Sequence, residues 1–374
     1  MRRGLRDLPL AESPGACCDC CSDLSWPHGG DDLPPLAGPL PRRRFLSGLA
    51  SLGLFVTGLA GWGKPGLAQG RRRVKLAFCS QLLCIIPYEV ARHQGYFSDA
   101  GLDVDLVYVR GGTAAMQALV GGAVDYAATS FDVALAAYAR GAQIVRFFTT
   151  GRLPLFALVV APKAAGQVTR LDQLRGRTVG VSALGNADHV LLLYLLRRAG
   201  VAPESVHFAV LGPNMYEALR YGQVDAGMVQ EPGSTLVEHA GGRVLVNLMD
   251  LEQARRYLGG PYEFMGVAVR RDEWEARLQE MRDLARALTR ALHFIHYGTT
   301  RLIIDALPRD LIAGGDRALL EQVLARNRLS LYPEDGRIHS DAVQRVVQVQ
   351  RQGGVLPHPV DVRPLISNAV VDSL

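Results

Sequence analysis

Cysteine is scarce in this sequence beyond its first stretch. Of six cysteines, four crowd at Cys17, Cys18, Cys20 and Cys21, and only Cys79 and Cys84 follow. Two cysteines cannot staple so long a chain, so its stability must come from a hydrophobic core. Long apolar runs are also missing: beyond residue 68 no window of about 18 residues is uninterrupted by polar groups, which argues against a spanning helix there. Charge of one sign is not concentrated. The formal net charge is +5, and no Lys/Arg run exceeds three or interleaves with aromatics, which disfavours a nucleic-acid partner. Catalytic signatures are absent too. There is no Gly-x-Ser-x-Gly elbow, no His-Glu-x-x-His and no Gly-x-x-x-x-Gly-Lys-Ser/Thr phosphate loop. His293 and His296 stand i, i+3 on an apolar helix and read as structural. No catalytic residue, metal site or cofactor is therefore expected. What remains is ordinary globular composition: 374 residues, 48% hydrophobic and 21% charged.

The first 68 residues read as a leader. Residues 1–41 are turn-rich and are predicted to be disordered. The Cys17–Cys21 spacing can bind zinc, but no second Cys/His pair follows at zinc-finger distance. The cluster therefore reads as an unstructured n-region or a start codon assigned too early. Arg42-Arg43-Arg44-Phe45-Leu46 precedes an uncharged apolar run from Leu49 to Ala60, and Gly66-Leu67-Ala68 supplies small residues before a cut. That layout is a secretory signal, and its Arg-Arg-x-Phe-Leu order resembles a twin-arginine export signal, with a Sec signal as the alternative. No cysteine follows the cut, so no lipid anchor is expected there. The mature protein is predicted to begin near Gln69 and to be soluble in the periplasm.

From there, strands alternate with helices, which predicts α/β architecture with mostly parallel sheets. Strands are predicted at 74–78, 104–109, 126–128 and 144–148. Helices are predicted at 88–94, opening after Pro87, and at 114–120 and 132–139. A second α/β unit starts near 162, with strands at 178–181, 206–211 and 226–229 and helices at 188–199 and 218–221. The units echo each other. Ala118-Leu119-x-x-Gly122-x-Val124-Asp125 recurs as Ala218-Leu219-x-x-Gly222-x-Val224-Asp225, a helix end, a Gly stop and a charged turn. A strand at 264–269 and helices at 273–297, 301–305, 317–326 and 340–350 complete the chain. The predicted division is 69–161 for the first part of lobe I, 162–264 for lobe II, and 265–374 for the return to lobe I and C-terminal helices. Two lobes joined by a double crossing near 161 and 264 suit closure on a ligand.

In open α/β sheets ligands sit outside the carboxyl ends of strands. Those ends carry small polar residues: Ser80-Gln81, Gly111-Gly112-Thr113 and Thr129-Ser130 in lobe I, and Ser182 and Gly185-Asn186-Ala187 in lobe II. Gly admits a ligand close to backbone, and helix N-termini offer free N–H groups. The alternative is that these are plain N-caps and turn residues. Arg110 and Arg152 flank the lobe I strand ends, where either could clamp an anion or lie solvated. Glu231-Pro232 lies past a strand end near the hinge. The candidate ligand-binding set is Ser80, Gln81, Gly112, Thr113, Ser130, Arg152, Ser182, Asn186, Ala187 and Glu231. Cys79 and Cys84 could pair after export, but their spacing leaves the geometry open.

Three segments together resemble a known family: Tyr96-Phe97-x-x-x-Gly101-Leu102-Asp103-Val104, then Gly111-Gly112-Thr113 with the 118–125 turn, and Leu171-Asp172-Gln173-Leu174-Arg175-Gly176-Arg177-Thr178-Val179-Gly180-Val181. They are similar to the solute-binding proteins of ABC importers for nitrate, sulfonates, taurine and thiamine-pyrimidine precursors, over roughly 74–300. The resemblance implies a bilobal periplasmic-binding-protein, or Venus-flytrap, fold. It implies a monomer that captures a small anionic or polar solute and delivers it to a membrane permease and its ATPase, without chemistry on the solute. By position, Gln81, Thr113, Ser130, Ser182, Asn186 and Glu231 would line the cleft. The family also includes pyrimidine synthases that consume a bound cofactor and their own histidine, with a cysteine-rich signature inside the domain. Here the cysteine cluster lies ahead of the export signal. The alternatives are a synthase-like or small-acid lyase enzyme of the same fold, or a periplasmic sensor module.

Overall fold

The computed structural model describes residues 71–374 apart from Ser80, residues 313–315 and Pro357. The predicted leader, its Cys17–Cys21 cluster and the candidate Ser80 lie outside the described residues. Among the described residues ten strands form two five-stranded sheets. The first contains β1 (Arg72–Cys79), β2 (Leu102–Val109), β3 (Tyr126–Ser130), β4 (Ile144–Thr149) and β10 (Met265–Arg270), in the order β2-β1-β3-β10-β4. The second contains β5 (Ala157–Val160), β6 (Thr178–Val181), β7 (His207–Val210), β8 (Ala226–Val229) and β9 (Arg243–Asn247), in the order β7-β6-β8-β5-β9. The sheets are built alike. Each has a parallel trio followed by one antiparallel strand, and that strand is the one delivered by a crossing between lobes.

Lobe I carries α1 (Leu82–His93), α2 (Tyr96–Asp99), α3 (Gly112–Val120) and α4 (Phe131–Ala139). Lobe II carries α5 (Ala187–Arg198), α6 (Met215–Arg220), α7 (Gly233–His239) and α8 (Leu251–Leu258). After β10 come α9 (Leu278–Tyr297), α10 (Thr300–Asp305), α11 (Arg309–Ile312), α12 (Arg317–Leu331) and α13 (Ser340–Gln352). α9 packs on α1 and α2. α13 packs on α4 of one lobe and α5 of the other, and so braces both.

The sequence echo is one turn built twice. Gly122 and Gly222 hold left-handed backbone, at φ of 74° and 64°. Around each, the next residue's N–H reaches back five positions and the glycine's N–H three, closing a Schellman stop. Asp125 then accepts from the Lys75 N–H at 2.7 Å and Asp225 from the Thr178 N–H at 2.9 Å. In each lobe a turn carboxylate therefore anchors the central parallel strand.

Two boundaries differ from the sequence reading. β5 lies within the 69–161 span assigned to lobe I but pairs in the second sheet, so the chain changes lobes between Thr149 and Ala157 rather than near 161. An all-apolar Ala-Leu-Val-Val run carries no mark of which sheet it joins. The return falls between Leu258 and Met265. The first helix, predicted to open after Pro87, begins at Leu82 and holds Pro87 inside it. A proline there supplies no N–H to the carbonyl four residues earlier. That carbonyl belongs to Leu83, and the Tyr332 hydroxyl, buried at the end of α12, donates to it at 2.8 Å. Tyr332→Phe should leave a buried carbonyl unpaired and cost about 1–3 kcal/mol of stability, readable as a lowered denaturation midpoint.

Candidate functional site

The carboxyl ends of β1, β3 and β6 converge on a cavity of about 40 Å³ between the lobes. Its described walls include Cys79, Gln81, Cys84, Gly112, Thr129 and Ser130 from lobe I. Ser182, Asn186, Ala187, Asp188 and Gln230 come from lobe II, with Phe156 and Phe264 from the crossing segments. The two phenyl rings meet edge to face at 6.1 Å.

A hydrogen-bond relay crosses the mouth. Thr113 Oγ1 donates to Asn186 Oδ1 at 2.6 Å, joining lobe I to lobe II. Asn186 Nδ2 donates to Ser182 Oγ at 3.1 Å, and Ser182 Oγ donates to Asp188 Oδ1 at 2.7 Å. Asp188 is fully buried in the first turn of α5, and its other oxygen takes the Ser182 N–H. Burial raises the Asp188 pKa above the ordinary carboxylate value, while the Ser182 bonds favour the charged form. The relay ties lobe I to lobe II across the cavity.

This corrects one detail of the sequence reading. Thr113 and Asn186 bind each other rather than each presenting a free group, and Asn186 makes no side-chain cap to α5. Ser130 does cap α4, through Val133 N at 3.4 Å, while also facing the cavity. Gln81, Gly112, Ser182 and Ala187 line the cavity as well. At Gly112 a Cβ would overlap Thr129 Oγ1, so only glycine lets α3 approach β3 this closely. Glu231 faces an adjoining cleft that it shares with Gln81, Phe156, Ser182 and Gln230. Its carboxylate accepts from Thr235 N and Oγ1 at 3.1 and 3.0 Å, which ties down α7.

Arg152 does not belong to this site. Its guanidinium donates to the Ser330 and Leu329 carbonyls at 3.0 and 2.6 Å, closing the C-terminal end of α12. Carbonyls at a helix end lack intrahelical donors and carry partial negative charge, so they draw the cation away from the cleft. Arg110 is exposed.

Three contributors went unselected in the sequence. Thr129, fully buried, has an Oγ1 without a partner, and Gln230 has a buried Oε1 without one. Asp188 could have been suspected as an acid in the first turn of an apolar helix. Gln230 carries no signal beyond following a strand. Among the described lining residues of the cavity there is no Lys, Arg or His.

Beneath the floor lies a buried ion pair. Arg146, on β4, donates to the Thr129 carbonyl at 3.0 Å and the Phe264 carbonyl at 3.3 Å. It also stands 3.7 Å from Glu263, which accepts from Thr149 Oγ1 at 2.6 Å. Arg146 thus positions the backbone of two cavity residues.

Two α/β lobes of matching strand order, with a cavity at their strand ends, define the periplasmic-binding-protein fold. Solved structures agree. A protein from Bordetella bronchiseptica RB50 superposes at a TM-score of 0.74, with 24% identity, over 81% of this chain and 97% of that one. The alkanesulfonate-binding protein SsuA from Xanthomonas axonopodis pv. citri, bound to MOPS, gives 0.63 at 20% identity, over 79% and 98%. The model of the NMT1/THI5-like family matches residues 84–297, and the chain belongs to that family. Its curated relatives divide. A Bacillus subtilis protein named as a candidate binding protein, YtlA, is 22% identical over 317 residues, covering 81% of this chain and 90% of YtlA. A Saccharomyces cerevisiae 4-amino-5-hydroxymethyl-2-methylpyrimidine phosphate synthase, THI13, is 26% identical over 143 residues, or 38% of this chain. The chain spans about two-fifths of the length of that synthase. Among the described residues no helix is long and apolar enough to cross a membrane.

Proposed function

We propose that the protein is the exported solute-capturing component of an ABC importer, enclosing a small polar solute between its lobes and presenting it to a membrane permease and its ATPase. The observation that carries this reading is the interlobe cavity under the Thr113–Asn186 bridge, with Thr129 Oγ1 and Gln230 Oε1 left unpartnered inside it. Buried polar atoms ordinarily have partners, so two unmet ones in a closable cavity suit a bound molecule. A solute that bridges the lobes stabilises the closed state by its differential affinity. The expected export leader, if the Arg42-Arg43-Arg44-Phe45-Leu46 order serves as one, would fit delivery to the periplasm. The synthase reading gains nothing from the cavity, whose described lining includes no histidine.

The lining also narrows the solute. Nitrate or a sulfonate would bury its charge here without a cationic side chain among the described lining residues, beside the buried carboxylates of Asp188 and Glu231. The carbonyl oxygen of Gln230 accepts, so it asks for an N–H donor, and Phe156 and Phe264 offer apolar walls. These features favour the pyrimidine-precursor class. Titration calorimetry with 4-amino-5-hydroxymethyl-2-methylpyrimidine, ethanesulfonate and nitrate separates the classes. Binding of the pyrimidine alone is expected, and tight binding of either anion would contradict the assignment.

Closure has its own test. Asn186→Ala removes the bridge, and the closed state should lose about 0.5–1.5 kcal/mol. Solute affinity should fall about two- to tenfold. Unchanged affinity with a lowered melting temperature would make Asn186 a structural residue of lobe II.

A further inference from the structure

Solute capture leaves one feature of the cavity unexplained. Cys79 ends β1 and Cys84 lies in the first turn of α1, and both are in the wall of the same cavity. Both are free thiols, only 6% and 3% exposed. The Cys84 thiol is pushed well above its ordinary pKa, first by hydrogen bonding with Cys79 and then by burial, while the Gln230 side chain acts against this. Two thiols from lobe I and the Gln230 amide from lobe II thus line one cavity in the interlobe seam. Binding a polar solute requires no pair of neighbouring thiols.

We propose that Cys79 and Cys84 are a redox pair in the cavity wall, oxidised to a disulfide by exchange with a small-molecule or protein disulfide when the lobes are open and shielded when they close. The thiolate of one cysteine attacks a sulfur of the reagent's disulfide. That S–S bond breaks, and one reagent thiol leaves. The second cysteine gives its proton to water and attacks the mixed disulfide, releasing the second reagent thiol. Two protein S–H groups become one S–S bond, and the reagent takes up the two electrons and two protons. Exchange depends on the thiolate fraction and on access. Closed lobes limit both, because they bury the pair and hold Cys84 protonated. The bond would tie the end of β1 to the first turn of α1 around Gln81, a cavity residue, so oxidation would reshape the solute site.

The test uses the purified protein equilibrated with oxidised glutathione, then denatured, alkylated and digested. Trypsin releases Leu76–Arg92, which holds both cysteines and no others. The proposal predicts a peptide lighter by two hydrogens that takes no alkyl label until it is reduced. In Cys79→Ser, glutathione should remain attached to Cys84, because the resolving thiol is gone. Two alkyl labels on the wild-type peptide, or glutathione retained on it, would overturn the pairing. Asn186→Ala, which lacks the interlobe bridge, should oxidise several-fold faster than wild type. Equal rates would overturn the gating by closure.

Discussion

Arg146→Ala is expected to cost about 3–5 kcal/mol of stability, more than any single loss in the cleft. The substitution leaves Glu263 buried without its cation and removes a donor from each of the Thr129 and Phe264 carbonyls, the latter still held by the Phe131 N–H. Burial already pushes Glu263 up to about 7, with Arg146 holding it down. Without Arg146 the carboxyl must take a proton or stay charged in an apolar site. Denaturant unfolding should show a lower midpoint at an unchanged slope. Arg146→Met combined with Glu263→Gln should recover much of the loss, since removing both charges leaves neither orphaned. A double variant as unstable as Arg146→Ala would show that the carbonyl contacts, not the ion pair, carry the effect.

Stability should also fall as pH rises from about 4 to 8, and Asp132→Asn should remove a large part of that fall. Asp132 opens α4 and is fully buried. One carboxylate oxygen accepts from the Tyr262 hydroxyl at 2.6 Å, and the other has no partner. Burial raises its pKa from 3.8 to about 7. Between those values the native protein holds a proton that the unfolded chain has released. The native state binds more protons, so stability declines with rising pH across that window and levels off above it. At 1.36 kcal/mol per unit the decline reaches about 4 kcal/mol. Glu263 moves in the same direction, so the informative quantity is the difference between wild type and Asp132→Asn. The variant should gain on wild type from pH 5 to pH 8. Parallel curves would mean that Asp132 stays ionised in the fold.

Much of the fold was legible because local chemistry and global topology agree. The repeated 118–125 and 218–225 turns marked two similar lobes, and the same glycine stop and strand-anchoring aspartate appear in both. The long amphipathic helices after Glu263 declared themselves by periodicity. Pro87 misled because its missing donor is replaced by Tyr332, a residue 245 positions away in sequence. β5 misled because four apolar residues fit either sheet. In the site, small polar residues at strand ends were legible as a class, and most of them line the cavity. Their individual roles were not, since Thr113 and Asn186 find each other only after the lobes fold. Arg152 looked like an anion clamp in sequence, but three-dimensional proximity to the end of α12 decided its role. Gln230 was passed over, and Thr129, named at its strand end, was left out of the candidate set, because an unmet hydrogen bond is a property of surroundings, not of residue type.

The central claim is that the cavity between the lobes holds a small polar solute. Native mass spectrometry of the protein exported and purified from its own periplasm tests it most directly. The account predicts one small non-protein mass per chain, released on gentle activation and diminished in Asn186→Ala. A bare chain that also takes up nothing from a pool of polar metabolites would contradict it.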